Sequence, residues 1–248
     1  MSGSEVLLPI LIGVAAFLYA SVGHAGASGY LAAMAFCGVS AAVMKPSALL
    51  LNLVVASLAL FHFARAGRFS WRRFWPFALG SIPLAYWGGT LHVPSHVYRV
   101  LIGATLLVAA VKVFTDSLPQ RQAEIVPVGM PPILPATLVG TVIGVLAGMT
   151  GTGGGIFLSP VLVLLRWGEP RDTGGVAAAF ILANSLAGLA GHLPTVASLH
   201  PQLPLWIAIV LLAGTAGAWY GSGRATSPIF RRLLSVVLAI AGGKLMLT

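Results

Sequence analysis

Charge is what this 248-residue chain has least of: Asp, Glu, Lys and Arg make up 8% of it, and five residues are acidic. A soluble domain carries about 25% charged residues, so this chain has too little polar surface to face water on all sides. The scarcity of carboxylates excludes more. Glu5, Asp116, Glu124, Glu169 and Asp172 all fall outside or at the edges of the apolar runs. That leaves no buried carboxylate pair for a carboxylate proton relay or a cation site. Cysteine is nearly absent, and Cys37 alone forms no intrachain disulfide; it reads as a small buried hydrophobe. No Lys or Arg precedes the first apolar run, so the start lacks the basic region of a signal peptide and is expected to be a membrane helix.

What is present is apolar: 58% of the residues are hydrophobic. A bilayer core of about 30 Å takes roughly 20 apolar residues per spanning helix, and lipid-exposed open sheet cannot satisfy its backbone. The expected fold is therefore an all-α polytopic membrane protein in the lipid bilayer, with no room for a separate soluble catalytic domain. Apolar runs bounded by charges, glycines and prolines predict ten segments, 6–22, 28–43, 46–64, 74–91 and 97–114, then 132–149, 153–165, 174–191, 204–222 and 229–247. This divides the chain into a first membrane repeat (1–115), a linker (116–131) and a second membrane repeat (132–248). The first two segments of each repeat run 17 and 16 residues, then 18 and 13; the last is short, and each such pair either spans fully or forms a hairpin that stops inside the bilayer.

The net charge of +9 does not imply nucleic acid, because its distribution is that of membrane topology. Arg65, Arg68, Arg72 and Arg73 sit in and beside one short loop, and Arg224, Arg231 and Arg232 flank another. Under the positive-inside rule, 65–73, the linker, 166–172 and 223–229 are cytoplasmic. Loops 92–96 and 192–203 and both termini are extracytoplasmic. Lys45 is the exception, falling on the outer side.

The two halves echo each other. Asn52 pairs with Asn184 (184 − 52 = 132), and Arg99 with Arg231 and Lys112 with Lys244 at the same offset. Ser81, Ala85 and Gly89 correspond to Ala213, Gly217 and Gly221. The breaks Gly23-His-Ala-Gly-Ala27 and Gly151-Thr-Gly-Gly-Gly155 align at 151 − 23 = 128. With five segments per repeat, the second copy is inverted relative to the first. A duplicated hydrophobic unit with a broken segment in each copy points to a transporter whose site lies between the halves. Small residues four apart, Gly140, Gly144 and Gly148 and again Ala213, Gly217 and Gly221, predict close helix packing, and such faces suit a homodimer equally.

Four glycines within 151–155 cannot sit in a helix, at roughly 1 kcal/mol each relative to Ala. A helix starting there turns its free N–H groups and positive dipole end toward the break, where an anion is welcome; a tight turn between crossing helices is the plainer alternative. The candidate substrate-binding residues are Gly26, Ser28 and Gly29 at the first break, and Thr152, Gly153, Gly154 and Gly155 at the second. Asn52, Asn184 and Ser185 join them, with Ser57 as a helper. The asparagines serve either as ligands or as interhelical hydrogen-bonding groups. His24, at the first break, is either a satisfied core histidine or a proton-coupling group. A bulky side chain at position 154 is expected to block an anion's approach. Histidines 92, 96, 192 and 200 fall in the outer loops without metal-ligand spacing. No catalytic residue, metal, cofactor or nucleic-acid partner is expected, and no enzymatic activity.

The Gly-Gly-Gly break followed by Pro160, the later Asn184 and the duplicated arrangement resemble the sulfite exporter family TauE/SafE. The first-copy run Val22-Gly-His-Ala-Gly-Ala-Ser-Gly-Tyr-Leu31 resembles one subgroup of it. The resemblance covers about residues 6–247. Ala32 stands where the family's first-copy Pro aligns, so the two half-sites are expected to differ. The resemblance implies a permease of the bacterial inner membrane for sulfite, sulfonates or related organosulfur anions. Alternating access between inverted repeats is the expected mechanism, with a channel-like anion facilitator as the alternative.

Overall fold

A computed structural model describes residues 3–21, 23–91, 93–115, 117–118, 129–168, 173–193, 199–223 and 228–247. These residues form ten helices: α1 (Gly3–Ala20), α2 (Ala27–Phe36), α3 (Ala41–Arg65), α4 (Trp71–Thr90), α5 (Ser95–Thr115), α6 (Ile133–Thr150), α7 (Gly155–Leu164), α8 (Thr173–His192), α9 (Leu203–Gly223) and α10 (Pro228–Leu247). Five of them, α3, α5, α6, α8 and α9, are long and apolar enough to cross a membrane. Most of the predicted linker, and the acidic residues Asp116, Glu124, Glu169 and Asp172, lie outside the described residues.

The short helices resolve into a matched pair. α2 and α7 have 10 residues each, about 15 Å at 1.5 Å per residue, half of a hydrocarbon core. The predicted segment 28–43 is corrected: its helix ends at Phe36, Gly38 turns the chain at φ 76°, and 41–43 open α3. Nothing charged marks that turn. Gly38 lies within an apolar stretch, and its freedom at positive φ ends the helix.

The duplication extends to the backbone. Left-handed φ occurs at Gly23 (78°) and Gly151 (78°), at Gly26 (91°) and Gly154 (79°), and at Gly38 (76°) and Arg166 (57°); each pair is separated by 128 positions (151 − 23, 154 − 26, 166 − 38). Helix neighbours correspond too: α4 packs on α6 as α9 packs on α1, and α4 packs on α8 as α9 packs on α3. α3 packs against its own duplicate α8, and α5 against its duplicate α10.

Small residues set these distances. A Cβ on Gly140, Gly144 or Gly148 of α6 would strike the carbonyls of Phe77, Ser81 and Ala85 of α4, in that order, so the two helices run parallel with backbones in contact. Gly217 and Gly221 of α9 lie likewise on Phe17 and Ser21 at α1. α3 and α8 run antiparallel: Leu49 lies by Gly188, Asn52 by Ser185, and Phe63 by Gly174. The glycine rows are packing devices, as their four-residue spacing predicts.

Candidate functional site

Buried polar side chains of the two repeats meet where α3 crosses α8. Asn52, Asn184 and Ser185 are all fully buried. Asn52 Nδ2 donates to Ser185 Oγ at 3.3 Å and to the Gly151 carbonyl at 3.4 Å, so one side chain ties the first repeat to the second repeat's glycine break. Gly153 completes the contact. At φ 72°, a Cβ there would lie 2.9 Å from Ser185 Oγ and 3.1 Å from Asn52 Nδ2. Only glycine leaves room for the amide.

The rest of the second break is polar and braced. Thr150 and Thr152 share a hydrogen bond of 2.9 Å, and Tyr98 Oη donates to the Thr150 carbonyl at 3.2 Å. Gly154 is the N-cap of α7 and Gly26 that of α2, both left-handed and neither with a side-chain cap. The first N–H groups of both short helices are therefore left for other acceptors. The Cβ direction of Gly154, however, meets Ile143 at 2.7 Å and Phe180 at 3.0 Å. A bulky residue at 154 thus invades the apolar core, and the expectation that it blocks an anion is corrected. Gly155 is likewise packed on Ile181.

The first break is built differently. His24 Nε2 lies 3.0 Å from Ser159 Oγ of α7, and Ser159 Oγ also reaches the Gly155 carbonyl at 3.2 Å. When Ser159 donates to that carbonyl, His24 donates through Nε2. The histidine therefore links the first break to the second repeat's short helix. Ser28 donates to Tyr19 Oη at 2.8 Å, and a Cβ on Gly29 would meet Ala15 and Tyr19. Both positions join α2 to α1. Ser57 is exposed and bonded to its own helix at the Leu53 carbonyl, so it takes no part in the crossing.

Asn184 differs from its duplicate. Among the described residues neither of its amide atoms has a hydrogen-bond partner, and Asn52 Oδ1 has none either. Leaving a buried amide unpaired costs about 1–3 kcal/mol, so these buried atoms have hydrogen-bonding capacity that the described residues leave unused.

Reading the sequence missed Lys45. It is 5% exposed, and its Nζ donates to the Gly89 carbonyl near the end of α4 at 3.2 Å. Its stem lies against the second break, since a Cβ at Gly151 would be 3.3 Å from Lys45 Cγ. The signal was its departure from the positive-inside pattern expected of the loops, which Lys45 alone breaks by falling at an expected outer loop.

Among the described residues, no three His, Cys, Asp or Glu side chains gather as a metal site. His92 lies outside the described residues. His200 accepts a bond from the Gln202 amide and stacks on Trp206 at 4.3 Å, and burial pushes its imidazole below the ordinary value. Cys37 is half-buried against the core at the C-cap of α2.

Comparison with known proteins agrees with this architecture. Residues 8–245 match the family "Sulfite exporter TauE/SafE". Over 246 residues the chain is 39% identical to "Probable membrane transporter protein y4hK" of Sinorhizobium fredii (strain NBRC 101917 / NGR234), covering 99% of this chain and 100% of that protein. No solved structure matches the chain. With nearly its whole length matched and apolar helices throughout, the chain is an integral membrane protein and belongs to the TauE/SafE sulfite exporter family of membrane transporters.

Proposed function

We propose that this protein is a permease of the bacterial inner membrane that moves a small sulfur-containing anion, sulfite or a sulfonate, by alternating access between two inverted repeats. The observation that carries this reading is the pair of equivalent breaks. Each starts a ten-residue helix at a left-handed glycine without a side-chain cap, and the second lies against the buried Asn52–Ser185 contact. Helix N-termini favour negative charge. An oxyanion accepts hydrogen bonds on every oxygen, so backbone N–H groups and the Asn184 amide supply the donors it needs. The antiparallel crossing of α3 and α8, which are duplicates of each other, supports the inverted arrangement and offers a surface on which the halves rock.

His24 is the proton-coupling group in this reading, because its bond to Ser159 joins the two repeats and imidazole titrates near neutral pH. The test is uptake into proteoliposomes of sulfite, thiosulfate, methanesulfonate and sulfate, with and without a pH gradient. The expected result is saturable uptake of at least one sulfur anion, with gradient-driven accumulation that His24→Gln abolishes. Uptake that never saturates would favour a channel, and absence of anion uptake would end the proposal.

A further inference from the structure

Lys45 sits where local electrostatics does not want it. It is the fifth residue of α3, and a cation near a helix N-terminus opposes the macrodipole. Burying an ammonium is costly unless its charge is compensated. Among the described residues its Nζ has one hydrogen bond, to the Gly89 carbonyl at 3.2 Å, although an ammonium has three donors. A lysine needed only to cap α4 would not have to lean on a glycine break, yet this one does so through Cγ and its own carbonyl, 3.3 and 3.2 Å from the Cβ position of Gly151.

Two further observations point to a ligand. Asn52 lies two helical turns along α3 from Lys45 and bonds the Gly151 carbonyl, so both residues attend the same glycine. Among the described residues, Asn52 Oδ1, on the amide that reaches Gly151, is buried and unpartnered. The duplicate position of Lys45 is Ala177 (45 + 132 = 177), so the feature belongs to one copy and is not a requirement of the fold.

We propose that Lys45 is the counter-charge of the substrate: its ammonium swings from the Gly89 carbonyl to pair with the translocated anion at the second break, making that break the charge-bearing half of an asymmetric site. This inference rests on the anion-permease reading. A flexible four-carbon stem with rotatable donors suits such a movement. The anion would be held by the ammonium on one side and the N–H groups that open α7 on the other.

The experiment measures anion-dependent thermal stabilisation of detergent-purified protein with sulfite, thiosulfate, methanesulfonate and sulfate. If none of the four stabilises the wild type, the anion reading itself falls. Where one does, Lys45→Gln and Lys45→Met should weaken its binding at least tenfold, while Lys45→Arg keeps most of the affinity. A neutral variant that binds as the wild type does overturns the inference and leaves the permease reading standing; Lys45 would then be a cap for α4. Should both neutral variants fail to fold, a second measurement decides. Lys112 and Lys244 are the only other lysines. With both changed to Arg and lysine labelled with 13C at Cε, a single NMR signal reports Lys45. Saturating anion should shift that signal, and an unmoved signal overturns the inference.

Discussion

Asn52 Nδ2 lies 3.3 Å from Ser185 Oγ, and that contact has no duplicate among the described residues. Transposed by the 132-residue offset, Asn52 becomes Asn184 and Ser185 becomes Leu53 (185 − 132 = 53). Leucine has no hydroxyl, and Asn184 is left without a partner on either amide atom. One difference at an internal symmetry position thus separates an asparagine that joins the repeats from one whose amide has no partner among the described residues.

The two asparagines should therefore respond to removal with opposite signs. Asn184→Leu deletes an unsatisfied buried amide at similar volume, so the ligand-free protein should gain about 1–3 kcal/mol of stability. It should lose about 5- to 150-fold in anion affinity, the same range expressed as binding. Asn52→Leu breaks two bonds that join the repeats and should lower stability with or without anion. Thermal denaturation across an anion titration reads both quantities. Equal and small stability losses in both variants, with affinity unchanged, would assign both residues to packing alone.

Gly153 and Gly154 are adjacent, both left-handed, and should fail in different ways. A methyl at 153 meets Ser185 Oγ and Asn52 Nδ2, so Gly153→Ala should disturb the crossing. It should cost anion affinity several-fold, with about 1–2 kcal/mol of left-handed strain in stability. Gly154→Val aims at Ile143 and Phe180 and should lower the melting temperature far more, any transport defect following from misfolding. A Gly154→Val protein as stable as the wild type would show that the Cβ direction at 154 is open.

The fold was legible in this sequence to an unusual depth because charge and glycine do the punctuating. Ten apolar runs gave ten helices, and the two breaks fell at the glycines. What escaped was not local. The end of α2 at Gly38 hides inside an apolar stretch. Ser28 spends its hydroxyl on Tyr19, and Lys45 enters the bundle because α4 and α6 lie beside it. Each depends on which helix becomes the neighbour, and hydropathy does not record that. The pairing of Asn52 with Ser185, not with Asn184, required the α3–α8 register.

Arg166 occupies the left-handed position that Gly38 holds in the first repeat. A side chain there costs about 1–2 kcal/mol, offset in part by the greater freedom glycine loses on folding. Arg166→Gly should raise stability by about 0.5–1 kcal/mol, and Gly38→Ala should lower it by a similar amount although nothing lies within 4 Å of the added Cβ. Thermal denaturation of the two single variants checks the pair. A destabilised Arg166→Gly would mean that the arginine side chain makes contacts worth more than its backbone strain.

The inverted arrangement makes a claim about sides of the membrane that labelling can decide. Positions 67 and 199 are duplicates (199 − 67 = 132), and the loops around them differ in charge. Arg65, Arg68, Arg72 and Arg73 surround the first, while none of 192–203 is Lys or Arg. Positive residues are retained on the cytoplasmic side, which places the first loop inside and its duplicate outside. The antiparallel run of α3 against α8 requires the two loops to lie on opposite sides, because α3 ends at Arg65 where α8 begins. In a Cys37→Ala background, Ala66→Cys and Leu199→Cys put single thiols at two exposed sites. A membrane-impermeant maleimide added to intact cells should label position 199 alone, and position 66 should react only after the inner membrane is opened. Labelling of both from the same side would overturn the inverted-repeat reading, and alternating access between inverted halves would go with it.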